Sequence, residues 1–151
     1  MKCKCGNNPL RGKALCLECF MKAESETQRA TPRHIEDDIQ EEFFRIARVV
    51  FPKLGKLLFA CPNGGKRNKP EAARFKRQGV VPGVADILCL VPNGQYSYLC
   101  LEAKTKTNSQ SGEQIKFQQE TENAGGLYIV FRSATEGIGI LKNYLSSTKY
   151  K

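Results

Sequence analysis

Asp86, Glu102 and Lys104 are charged residues set where their neighbours are apolar. Asp86 opens the run Asp86-Ile87-Leu88-Cys89-Leu90-Val91, and Glu102-Ala103-Lys104 closes the run that begins at Tyr98. Two carboxylates on neighbouring strands repel unless a cation stands between them, and a hard divalent ion with oxygen ligands suits that place. Lys104 lies two residues beyond Glu102 and so shares its face of an extended strand. At such a centre a divalent ion neutralises a phosphate and acidifies a bound water, while an ammonium steadies charge on the phosphate or orients the water. The chemistry these residues could do is phosphodiester hydrolysis. On spacing alone they could equally form a surface salt bridge at strand ends, because Glu-x-Lys triplets are common.

A second constellation opens the chain. Of seven cysteines, four fall in two close pairs, Cys3-Lys4-Cys5 and Cys16-Leu17-Glu18-Cys19, joined by a segment carrying Gly6, Asn7, Asn8, Pro9 and Gly12. Thiolates this close in sequence can turn toward one cation, and two pairs complete the closed tetrahedron that structural Zn²⁺ prefers. So short a piece has no core of its own, so the metal would supply most of its folding free energy. The alternative is a tail with incidental cysteines. An odd cysteine count without a secretory leader argues against a disulfide framework. Cys61, Cys89 and Cys100 lie in apolar runs and read as small core residues.

The composition, 40% hydrophobic and 26% charged, is that of a soluble globular protein, and 151 residues have room for one ordinary domain and a small appendage. The expected boundaries are a four-cysteine zinc knuckle at 1–22, a polar linker at 23–32 and a main domain at 33–151. No segment approaches the roughly 18 apolar residues that span a bilayer, which points to a cytoplasmic protein that engages no membrane. A net charge of +9 and a pI near 9.3 favour a polyanionic partner, nucleic acid first, although such an excess can also serve solubility alone.

The main domain must position the charged trio. Apolar residues Ile35, Ile39, Phe43, Ile46, Ala47 and Val50 recur at helical spacing, and Pro52 and Gly55 end that helix. Residues 57–61 read as a strand covered on both faces, followed by a turn at 62–65. Next comes the basic stretch with Lys66, Arg67, Lys69, Arg74, Lys76 and Arg77, helical in its second half, with Pro70 in the first turn and Gly79 at the end. Residues 86–91 and 98–103 form two strands around Pro92-Asn93-Gly94-Gln95. A two-residue loop would place Asp86 opposite Leu101 and turn Glu102 to the other face. An odd loop centred on Gly94 is therefore expected, setting Asp86 opposite Glu102 with Leu88 and Cys100 on their face. Residues 111–123 read as a helix with Ser111 and Gln114 as a capping box, residues 127–131 as a buried strand, and Ser133 and Glu136 repeat the capping spacing before a last helix with Ile138, Leu141, Tyr144 and Leu145.

Taken in order, Pro62-Asn63-Gly64-Gly65-Lys66-Arg67, Gly83-Val84-Ala85-Asp86 and Glu102-Ala103-Lys104 resemble the VRR-NUC branch of the PD-(D/E)XK nucleases, over roughly residues 33–145. The resemblance implies an α/β fold, a restriction-endonuclease-like mixed sheet flanked by helices, with the zinc knuckle appended. It implies Mg²⁺ or Mn²⁺ held by Asp86, Glu102 and the Ala103 carbonyl, with Lys104 as the catalytic lysine and no small-molecule cofactor. Glu36, with Gln40 one turn on, matches the family's first-helix acidic position and would reach the metal directly or through water, although Asp37, Asp38, Glu41 and Glu42 also fit a solvated acidic face. Gln114 matches a glutamine that follows the lysine motif, and its capping position explains it equally well. The family's proline before the aspartate is Ala85 here, a change to backbone shape rather than to the ligands.

Stand-alone members of this branch look like homodimeric, structure-selective nucleases, four-way (Holliday) junction resolvases among them, often from bacteriophages, which would place this chain in a host cell's cytoplasm. The expected partner is then branched DNA, tracked by Asn63, Lys66, Arg67, Lys69, Arg74, Lys76 and Arg77 with little base readout. Two other readings remain at the level of sequence: a non-catalytic, zinc-containing DNA-binding protein on a nuclease-like scaffold, and a zinc-stabilised protein-interaction module.

Overall fold

The computed structural model describes Cys3, Cys5, Cys16, Cys19, residues 35–62 and residues 69–151. The linker expected at 23–32, the turn after Pro62, and Asn63, Lys66 and Arg67 lie outside the described residues, as does the side chain of Lys69. The chain divides into two compact units, Met1–His34 and Ile35–Lys151.

The larger unit begins with α1, Ile35–Val50, whose helical apolar spacing buries Phe43 and Ala47. Pro52 then starts a 3-10 turn, Pro52–Leu57, that feeds strand β1, Leu58–Ala60. Helix α2 spans Lys69–Arg77, β2 Ile87–Cys89 and β3 Leu99–Ala103. Helix α3 runs Gly112–Asn123, β4 Leu127–Phe131 and α4 Ala134–Leu145. The sheet order is β1-β2-β3-β4, antiparallel except for the parallel pair β3 and β4, which α3 connects.

Strands β2, β3 and β4 alternate with period two. Ile87, Cys89, Leu99, Leu101, Ala103 and Phe131 join Phe43 of α1 and Leu141, Tyr144 and Leu145 of α4 in the main core. The intervening positions Leu88, Cys100, Tyr128 and Val130 point to the other face, where Phe117 of α3 covers them. Cys89 and Cys100 are fully buried, whereas Cys61 is half-buried.

The expectation that the 57–61 run is covered on both faces is corrected: β1 is an edge strand with Phe59 38% exposed. Only Leu58 of β1 packs against the main core, while Phe59 and Ala60 are exposed; an apolar run reports the average character of its side chains, not which of a strand's two faces another layer covers. The capping box at α3 is complete: Ser111 Oγ accepts from Gln114 N–H at 3.3 Å, and Gln114 Oε1 accepts from Ser111 N–H at 2.8 Å. At α4 it is half-made, because Ser133 Oγ accepts from Glu136 N–H while the Glu136 carboxylate takes the N–H of Arg132, one residue further back.

Candidate active site

Asp86 immediately precedes β2, Glu102 and Ala103 end β3, and Lys104 follows. The pairing sets Ile87 opposite Leu101 and Leu88 opposite Cys100, so one further step brings Asp86 across from Glu102. This is the register expected from a loop centred on Gly94. Gly94 adopts a φ of 89°, and the Asn93 side chain accepts from the N–H groups of Gln95 and Tyr96. Asp86 is fixed from two sides: its Oδ2 accepts from Ala103 N–H at 3.0 Å, and its carbonyl accepts from Cys61 N–H at 2.7 Å. Upstream, Gly83 has a φ of 78°, and a Cβ there would lie 2.4 Å from the carbonyl carbon of Glu113. Only glycine lets this loop rest so closely on the start of α3.

Glu102 is fully buried and receives three donors from three directions. Lys104 Nζ donates to Oε1 at 2.7 Å, Gln114 Nε2 also donates to Oε1, and Tyr128 Oη donates to Oε2 at 3.1 Å. Gln114 therefore does both things that its sequence position allowed: its oxygen completes the α3 cap while its amide nitrogen reaches the carboxylate. Glu36, in the first turn of α1, accepts on Oε1 from Thr105 N–H at 3.1 Å and from Asn108 Nδ2 at 2.9 Å. Its Oε2 lies 3.9 Å from Lys104 Nζ. Arg132 braces the same loop through the carbonyls of Thr105 and Asn108. A cleft of about 300 Å³ opens over this centre, lined by Glu36, Asp86, Lys104 and Gln114 together with Gln40 and Gly83.

The electrostatics are unbalanced toward negative charge. Burial, reinforced by the charge of Glu102, pushes the Asp86 carboxyl up to about 6. For Lys104, burial pulls the ammonium's pKa down, but the hydrogen bond and charge of Glu102, then Glu36 and Asp86, outweigh it and raise the net value. One ammonium thus faces Glu36, Asp86 and Glu102, a donor set that a divalent cation would neutralise. The carboxylates do not converge on a point of their own accord: among the described residues, only the four cysteines form a group of three or more such ligand atoms lying mutually within 4.8 Å. Lys104 Nζ stands between Glu102 and Glu36, as expected of like charges sharing one counter-ion.

No protein-family model and no curated protein matches this sequence. Among solved structures, a chain described as a VRR_NUC domain protein superposes with a TM-score of 0.67 at 21% identity, over 80% of this chain and 96% of that one. The chain has the VRR-NUC fold. The expected mixed sheet flanked by helices is therefore present, with the two carboxylates and Lys104 on a single face of it.

Within the VRR-NUC fold, sequence reasoning missed Tyr128, Asn108 and Arg132. Tyr128 had a readable signal: it is a hydroxyl inside an otherwise apolar strand. Asn108 and Arg132 carried none, since their roles depend on how a loop folds back on α1. The described side chains expected to track DNA, Arg74, Lys76 and Arg77, are exposed.

In the smaller unit the four sulfur atoms of Cys3, Cys5, Cys16 and Cys19 lie within 4.8 Å of one another, and Cys5 and Cys16 are 3.3 Å apart. Backbone donors at Cys5 and Cys16 hold the Cys3 thiol down at about 6, whereas the sulfurs of Cys5 and Cys16 push Cys19 up to about 12. Such a cluster can bind a soft metal such as zinc. Among the described residues no helix is long and apolar enough to cross a membrane.

Proposed function

We propose that this chain is a Mg²⁺- or Mn²⁺-dependent endodeoxyribonuclease that hydrolyses phosphodiester bonds in branched DNA, four-way junctions first among them. The reading is carried by one observation: Asp86, Glu102 and Lys104 meet on one face of the sheet beneath an open cleft in a VRR-NUC fold. Glu36, Asp86, Glu102 and the Ala103 carbonyl would hold the ion. When bound, it supplies charge neutralisation at the scissile phosphate and acidification of a water.

The chain's own residues do the rest. Ala103 N–H keeps Asp86 turned inward, and Tyr128 and Gln114 fix Glu102. Lys104, charged because three carboxylates face it, steadies negative charge on the phosphate or orients the attacking water. The net charge of +9, with Arg74, Lys76 and Arg77 exposed, favours the DNA backbone over base edges. A homodimer would set two centres on two strands, which suits symmetric junction cleavage. The cysteine cluster would hold one structural Zn²⁺.

The test is a panel of flap, splayed, duplex and four-way substrates with Mg²⁺ or Mn²⁺. Cleavage is expected for branched DNA, best for junctions, and Asp86→Asn is expected to abolish it by at least about a thousandfold while leaving binding intact. Metal-independent binding without cleavage by the natural sequence would favour the non-catalytic DNA-binding protein instead.

A further inference from the structure

The two oxygens of Glu102 live in different surroundings. Oε1 faces Lys104 and Gln114, both of which line the cleft. Oε2 faces Tyr128, which is 4% exposed and packs with Ala85 and Cys100 on the inner face, its ring centroid 6.3 Å from that of Phe117. We infer that Tyr128 is a positioning residue that anchors Oε2 of Glu102 on the protein side and so presents Oε1 to a divalent cation in the cleft. This rests on the metal-centre reading above.

The physical reason is the softness of the terminal torsion of a glutamate, which is broad and two-fold and lets its oxygens exchange places unless one is held. Lys104 and Gln114 both hold Oε1, from the side of the cleft that they line. Tyr128 belongs to β4, whose parallel ladder with β3 fixes it relative to Glu102 through Cys100↔Tyr128 and Glu102↔Val130. Partners that orient a metal ligand without touching the metal typically change affinity about 10- to 100-fold.

The experiment measures Mn²⁺ binding to the full-length, DNA-free protein by calorimetry, well below its melting temperature, for the natural sequence, Tyr128→Phe, Phe117→Leu and Asp86→Asn. Tyr128→Phe keeps the ring and removes only the donor; Phe117→Leu disturbs the same packing and leaves Glu102 alone. The expected result is a roughly tenfold weaker Mn²⁺ Kd for Tyr128→Phe, an unchanged Kd for Phe117→Leu, and unchanged binding of four-way DNA in chelator for both. Equal Mn²⁺ affinity for Tyr128→Phe and the natural sequence, or equal weakening by Phe117→Leu, would overturn the role of Tyr128. Absence of Asp86-dependent Mn²⁺ binding in the natural sequence would instead overturn the metal centre itself.

Discussion

Lys104 is the residue on which the charge balance of the centre turns. It is buried, it bonds a fully buried carboxylate at 2.7 Å, and it is the cation facing Glu36 as well. Removing one partner of a buried ion pair leaves the other uncompensated, which destabilises by roughly 3 kcal/mol. Lys104→Met is therefore expected to lower the melting temperature of the metal-free protein. Saturating Mg²⁺ should restore much of the loss without restoring cleavage, since the ion can neutralise Glu102 but does not replace the ammonium at the phosphate. Thermal melts with and without Mg²⁺, alongside a cleavage assay, check both halves.

At the scale of elements, α3 and α4 offer a controlled comparison. Both begin with a serine that accepts from the N–H three residues on, at 3.3 Å for Ser111 and 3.2 Å for Ser133. Replacing either by alanine should cost about 1 kcal/mol in a denaturant titration. The two should differ in activity. Ser111 is half of a box whose other half, Gln114, also holds Glu102, so Ser111→Ala is expected to slow cleavage several-fold more than Ser133→Ala at matched stability. Equal activities would mean that the α3 cap serves the helix alone. The same helix start rests on Gly83, where a side chain would collide with the Glu113 backbone, so the loop leading to Asp86 and the helix carrying Gln114 are fitted to each other.

The whole chain divides into two compact units, Met1–His34 and Ile35–Lys151. The larger has a core of its own, built on Phe43, Phe131, Leu101 and Leu141. The smaller brings four sulfurs within 4.8 Å. Native mass spectrometry is expected to show one Zn²⁺ per chain, lost in Cys16→Ser, with the melting of the larger unit shifted by less than about 1 kcal/mol equivalent. A chain that carries no zinc after expression in zinc-replete medium would count against the knuckle.

Features governed by local rules could be read directly from the residues. Helical spacing from Ile35 to Val50 and the Ser111 and Gln114 box report on neighbours within a few residues, so α1 and the start of α3 were legible. The β2–β3 register was reached by another route, from requiring Asp86 and Glu102 to share a face, because Asn93-Gly94 read locally suggests a two-residue loop and the wrong pairing. Alternation along β3 then put Glu102 and Lys104 on one face. Three-dimensional contacts alone make β1 an edge among the described residues, bring Tyr128 of β4 to Oε2 and hold Glu36 on the backbone of Thr105, 69 residues away. Those contacts are set by which strand lies beside which and by how a loop folds back on a helix, and neither periodicity nor spacing carries information about partners so distant along the chain.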